Sequence, residues 1–80
     1  MGNKENEMLK IIQEALNVGD GKITFDSSVK NVEEWDSLGH LSILVALDKR
    51  FGGKVANIRE MSSADSVNKI IQLLKDNSLV

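Results

Sequence analysis

The segment Trp35-Asp36-Ser37-Leu38-Gly39-His40-Leu41 opens into Ser42-Ile43-Leu44-Val45-Ala46-Leu47-Asp48-Lys49-Arg50-Phe51, and the run stops at Gly52-Gly53. Asp and Ser just ahead of an apolar run mark a helix start, because a short oxygen-bearing side chain accepts from the orphan N–H groups of the first turn. The pair Asp36-Ser37 is therefore predicted to begin a helix, and Gly52 to stop it. Ser37 then lies at or beside the positive end of that helix, where the dipole and unpaired N–H groups favour an attached phosphate.

Steps of about 100° per residue divide the apolar side chains of this helix into two stripes. Ile43, Leu44, Leu47 and Phe51 form a core stripe. Leu38, Leu41 and Val45 form another, which flanks the direction in which Ser37 points. A domain of this size has no second core to fill, so the second stripe is either left for a partner or bound group, or covered by another helix.

Eighty residues with 41% hydrophobic content make one modest core in one domain over residues 1–80. The usual per-residue yield gives such a chain a stability of ~4–12 kcal/mol. The absence of Cys excludes a disulfide framework and thiolate metal sites, and a single His excludes histidine-rich ones. A formal net charge of -2 offers no basic field for nucleic acid. No apolar run is long enough to span a membrane and no signal-peptide pattern stands at the amino terminus, so a soluble, cytoplasmic, monomeric protein is expected.

Residues 1–4 are expected to fray. From Glu5 to Val18, the residues Met8, Ile11, Ile12, Ala15 and Leu16 recur at helical spacing, and Gly19 is expected to end this first helix. Gly19-Asp20-Gly21-Lys22-Ile23 resembles the middle of an EF-hand calcium loop. In that register the first, third and twelfth positions are Leu16, Val18 and Ser27, which lack the oxygens that would offset dehydration of Ca²⁺. The stretch is read instead as a Gly-rich turn into a long loop, Asp20 to Glu34, pinned by Ile23, Phe25, Val29 and Val32.

Trp35 is expected to wedge this loop against the helices and fix where the serine helix begins. His40 lies three residues after Ser37, on the same helix surface, which invites comparison with a nucleophile and its base. No acid is positioned for the far ring nitrogen, no oxyanion hole is identifiable, and the flanks Trp35 and Gly39 do not make Gly-x-Ser-x-Gly. No catalytic residue and no metal site are assigned.

Beyond Gly53, Lys54-Val55-Ala56 reads as extended, and Asn57-Ile58-Arg59-Glu60-Met61 as a single helical turn held by Ile58 and Met61. Ser62-Ser63, helped by Asp65, is expected to cap a last helix whose stripe is Val67, Ile70, Ile71 and Leu74, ending at Asp76-Asn77. The expected fold is all-α, a small four-helix bundle of three longer helices and one short one, with a long first loop.

Asp36-Ser37-Leu38, the apolar helix that follows as far as Phe51, the chain length and the flanking helices together resemble the acyl carrier proteins and the carrier domains of modular synthases. The resemblance covers nearly the whole chain. It implies that Ser37 is the attachment site of a 4′-phosphopantetheine arm whose thiol holds cargo as a thioester, with Asp36 and Leu38 beside it. It further implies that Asp36 meets the metal of a phosphopantetheinyl transferase, that Leu38, Leu41 and Val45 dock partner enzymes, and that His40, Ile58 and Met61 border a cargo pocket. Such a protein is no enzyme itself, and its other partners are the enzymes that load and unload an acyl, hydroxyacyl or aminoacyl group.

In one respect the chain departs from that family. Carriers of fatty acid synthesis are strongly acidic along the serine helix, whereas the exposed charge here, Asp48 against Lys49 and Arg50, is near balance. Steering by basic enzyme patches would be weak, which favours a stand-alone carrier for a specialised pathway. Trp35 is similar to what such stand-alone carriers have at this place. The competing reading is an unmodified helical module whose Leu38/Leu41/Val45 face binds a protein partner directly.

Overall fold

The structure, a computed structural model, describes residues 4–19 and 21–80. Three α-helices, α1 (Lys4–Leu16), α2 (Ser37–Arg50) and α3 (Val67–Asp76), are joined by the long loop and, between α2 and α3, by two 3₁₀ turns at Val55–Asn57 and Arg59–Ser63. The chain is all-α. Its described residues hold no strand, and an isolated antiparallel bridge joins Ser28 to Ser66. Of the frayed start expected over residues 1–4, Lys4 is instead the first residue of α1, while residues 1–3 lie outside the described residues, as does the Asp20 position of the calcium-loop comparison.

Each α-helix ends in left-handed backbone, a single residue after α1 and α3 and two after α2, which turns the chain so that a following N–H reaches back into the last turn. Gly52 does this after α2, at φ 65°, with Gly53 N–H donating to the Asp48 carbonyl at 2.8 Å. Asn17 does it after α1, at φ 57°, with Val18 N–H donating to Gln13 at 3.2 Å. Helix α1 therefore stops at Leu16, two residues short of the expected end, because Asn17 takes the left-handed conformation ahead of Gly19, the residue expected to end the helix. Ser78, at φ 61°, closes α3.

The apolar stripes meet in one core. Met8, Ile12 and Leu16 of α1, Ile43 and Leu47 of α2, and Val67, Ile70, Ile71 and Leu74 of α3 are all buried. Helix α1 packs on both other helices, and ion pairs stitch the rim at Arg50–Glu7 (2.5 Å) and Lys75–Glu5 (2.6 Å). Leu44 and Phe51 are half-buried at the edge, with the Arg50 guanidinium 5.2 Å from the centre of the Phe51 ring.

Three local expectations need correction. The extended piece expected at Lys54–Ala56 and the single helical turn expected at Asn57–Met61 are instead a pair of 3₁₀ turns, with Val55, Ile58 and Met61 buried as predicted for the last two. The cap of α3 is Ser66, whose hydroxyl accepts from Lys69 N–H at 3.1 Å. Ser62 and Ser63 turn their hydroxyls back onto the carbonyls of Arg59 and Glu60. Finally, Ile23 and Val32 pin the long loop, but Phe25 and Val29 are exposed. Backbone bonds supply the remaining grip: Val29 N–H donates to Asp65 O at 2.9 Å and Val67 N–H to Ser27 O at 3.0 Å, so the loop is laced to the start of α3.

Candidate functional site

The site is built on the first turn of α2. Asp36 is its N-cap, in extended conformation, and one carboxylate oxygen accepts the Gly39 N–H at 2.8 Å. The Asp36 carbonyl takes the His40 N–H, also at 2.8 Å. Among the described residues, the N–H groups of Ser37 and Leu38 have no acceptor, and the exposed Ser37 hydroxyl has no hydrogen-bond partner. Two open donors at the positive end of a helix beside a free hydroxyl form a place where a phosphate ester of that hydroxyl is electrostatically favoured.

Gly39 holds this turn where it is. A Cβ there would stand 2.3 Å from the Glu34 carbonyl oxygen and 2.8 Å from Leu16 Cδ2, so only a residue without a side chain lets α2 start so close to the loop and the end of α1. Sequence reasoning missed this role. The available signal was a glycine inside the first turn of a helix, where it costs helix propensity and so points to a packing reason.

Leu38, Leu41 and Val45 remain 75%, 58% and 50% exposed, so among the described residues no helix covers the second stripe. They form an apolar face that starts one residue after Ser37.

Trp35 is 2% exposed and wedges the loop against the helices as expected. Its indole N–H donates to His40 Nδ1 at 3.0 Å, and the two rings lie edge to edge, with centroids 6.1 Å apart and planes 18° from parallel. The second ring nitrogen of His40, Nε2, lies 2.8 Å from the Met61 carbonyl, which can only accept. Both nitrogens are thus committed, and neither is free to take a proton from Ser37. His40 is a structural bridge from the loop, through α2, to the second 3₁₀ turn.

Two surface grooves flank that bridge. One, of about 490 Å³, is lined by Asp36, Ser37, His40 and Leu41 on one side and by Ser62, Ser63, Ala64 and Asp65 on the other, with Trp35 and Val29 at its edge. The other, of about 630 Å³, runs between Leu44, Val45, Asp48 and Lys49 of α2 and the 3₁₀ segment, over Val55, Ile58 and Met61. Leu44 and Ser62 line both, so the grooves abut along α2. The structure thus brings Asp36, Ser37, His40 and Leu41 to one groove and Val45, Ile58 and Met61 to its neighbour, whereas Leu38 lines neither.

Charge around the site is modest. Glu33, Glu34 and Asp36 are exposed just ahead of α2, and Lys49 and Arg50 close its far end. The Glu7 carboxyl is held below its usual range, chiefly by its hydrogen bond from Arg50, but the pair lies at that far end. Among the described residues, no group of three or more His, Cys, Asp or Glu could hold a metal ion, and no helix is long and apolar enough to cross a membrane. No family model, curated protein or solved structure matches the chain.

Proposed function

We propose that the chain is a carrier protein in which Ser37 bears a 4′-phosphopantetheine arm. The observation that carries this reading is the Ser37 hydroxyl, which is exposed, lacks an internal partner and sits at a helix start with two open N–H donors. These donors suit the phosphate of the arm. The all-α arrangement supports it as well, with the two 3₁₀ turns in the place of the short helix of a carrier-type four-helix bundle.

In the modification, Ser37 Oγ forms a bond to the phosphorus nearest the pantetheine of coenzyme A. The pyrophosphate bond breaks, adenosine 3′,5′-bisphosphate leaves, and the hydroxyl proton is lost. Asp36 keeps one carboxylate oxygen on Gly39 and offers the other to the metal of the transferase. Leu38, Leu41 and Val45 form the docking face for the transferase and for the enzymes that load and unload the arm. Once attached, the arm supplies a thiol that holds an acyl, hydroxyacyl or aminoacyl group as a thioester. The groove over Ile58 and Met61 shelters apolar cargo, and the chain itself performs no further chemistry. Near-balanced charge on α2 favours a dedicated pathway over fatty acid synthesis. The place of action is the cytoplasm, as a monomer.

The test is incubation of the full chain with coenzyme A, Mg²⁺ and a broad-specificity phosphopantetheinyl transferase, followed by intact mass measurement. Wild type gains one phosphopantetheine, whereas Ser37→Ala gains none and keeps its helical circular dichroism. A wild-type chain that stays unmodified points to the alternative, a module that uses the Leu38/Leu41/Val45 face for direct protein contact.

A further inference from the structure

We infer that His40 is a protonation-sensitive latch: neutral, it holds the second 3₁₀ turn against α2, and protonated, it releases the turn and opens the seam beneath the grooves to an apolar chain. The latch itself rests on hydrogen-bond geometry, while its meaning as control over cargo rests on the carrier reading.

The geometry leaves one tautomer. The Trp35 indole N–H can only donate and the Met61 carbonyl can only accept, so the imidazole between them must accept at Nδ1 and donate from Nε2. The neutral ring with its proton on Nε2 does both. A protonated ring carries donors at both nitrogens and sets an N–H against the N–H of Trp35, 3.0 Å away between heavy atoms. Trp35 is buried, so its donor cannot turn to water, and an orphaned buried donor weakens the closed form.

What rearranges is set by the connections of the turn. Among the described residues, the bond from His40 is the one hydrogen bond between Arg59–Ser63 and α2, the turn's others being local ones such as Met61 N–H to Ile58 O. The first 3₁₀ turn is tied independently, through Ala56 N–H to the Asp48 carboxylate at 2.9 Å, and stays in place. Release therefore falls on the segment that carries Met61, which is 2% exposed in the closed form. The charged groups that line the His40 groove are Asp36, from the cap of α2, and Asp65, beyond the turn. Arg59 and Glu60 of the turn do not line it, and Arg59 lines the neighbouring groove with Lys49.

The chain has one Trp, one His and no Tyr, so emission from Trp35 reports His40 without interference. The experiment takes the unmodified full chain from about pH 8 to about pH 5. It records Trp35 emission, hydrogen-exchange protection of the Met61 and Ala64 amides, and uptake of the apolar dye anilinonaphthalene sulfonate. All three are expected to change with one midpoint, with protection falling by about tenfold or more, as loss of one charge-sensitive buried bond requires. Protection in α1 and α3 stays level. The non-titrating variant His40→Gln flattens all three profiles. Imidazole ¹⁵N shifts of the wild type at high pH, expected to show the Nε2–H form, keep the test valid if that variant does not fold.

The latch is overturned if emission changes while amide protection and dye uptake stay flat, if the Nδ1–H form is found, or if His40→Gln keeps the step. No transferase is used, so failure here leaves the modification of Ser37 untouched, and failure of that modification leaves these profiles as they are.

Discussion

Replacing Gly39 with Ala sets two opposed effects against each other. Alanine in a helix gains up to ~1 kcal/mol of propensity over glycine. Its Cβ, however, would stand 2.3 Å from the Glu34 carbonyl oxygen, where carbon and oxygen ordinarily approach to about 3.3 Å, and 2.8 Å from Leu16 Cδ2. A methyl group has no rotamer with which to evade a backbone oxygen, so the helix start must move by about 1 Å relative to the loop. Overpacking costs ~1–3 kcal/mol, and a contact this short with a backbone oxygen puts it in the upper part of that range, ~2–3 kcal/mol, above the propensity gain. The net loss of ~1–2 kcal/mol lowers the melting temperature of a domain this small by ~4–16 °C. Thermal melts followed by circular dichroism, with urea unfolding followed by Trp35 emission, measure it. Gly19→Ala is the control, since nothing lies within 4 Å of its Cβ position and its φ is ordinary; it is expected to leave stability level or raise it by up to ~1 kcal/mol. A Gly39→Ala protein as stable as wild type would refute the claim that close approach fixes the serine turn.

Asp36→Ala removes the N-cap and should cost ~0.5–2 kcal/mol, whereas Asp36→Asn caps equally well and should leave stability unchanged. Both should slow modification by the transferase, and an Asp36→Asn chain modified at the wild-type rate would remove the carboxylate from that reaction. Glu7→Gln tests the rim ion pair: because Arg50 depresses the folded pKa of Glu7, the pair stabilises above the unfolded pKa and its contribution is lost as pH falls through the depressed value. The variant should therefore be less stable than wild type at neutral pH and equal to it in strong acid, as urea unfolding across pH would show.

Much of the fold was legible because its causes are local. Asp36 before an apolar run, Gly52 after it, and the spacing of Ile43 and Leu47 against Leu38, Leu41 and Val45 located α2 and both of its faces from a stretch of less than twenty residues. The stripe of α3 was equally plain. Errors arose where distant partners decide. Ser62, Ser63 and Ser66 are all chemically able to cap α3, and the bond of Val67 to Ser27, forty residues away, helps set which one does. Phe25 and Val29 looked like anchors in a loop without a periodic pattern, but backbone lacing to Asp65 made them dispensable and left them exposed. In the site, Ser37, Asp36 and the apolar face could be read from the chain, whereas the contacts of Gly39 with Glu34 and Leu16, and the bond of His40 to a carbonyl 21 residues on, exist only once the helices have packed.

The central claim is that one hydroxyl, and no other, receives the arm. After treatment with coenzyme A and a transferase, cleavage after Lys30 and Lys49 releases a peptide whose hydroxyl residues are Ser37 and Ser42. Fragmentation of that peptide by tandem mass spectrometry should place one phosphopantetheine on Ser37 and leave Ser42 bare. An unmodified peptide, or the group on Ser42, would contradict the account.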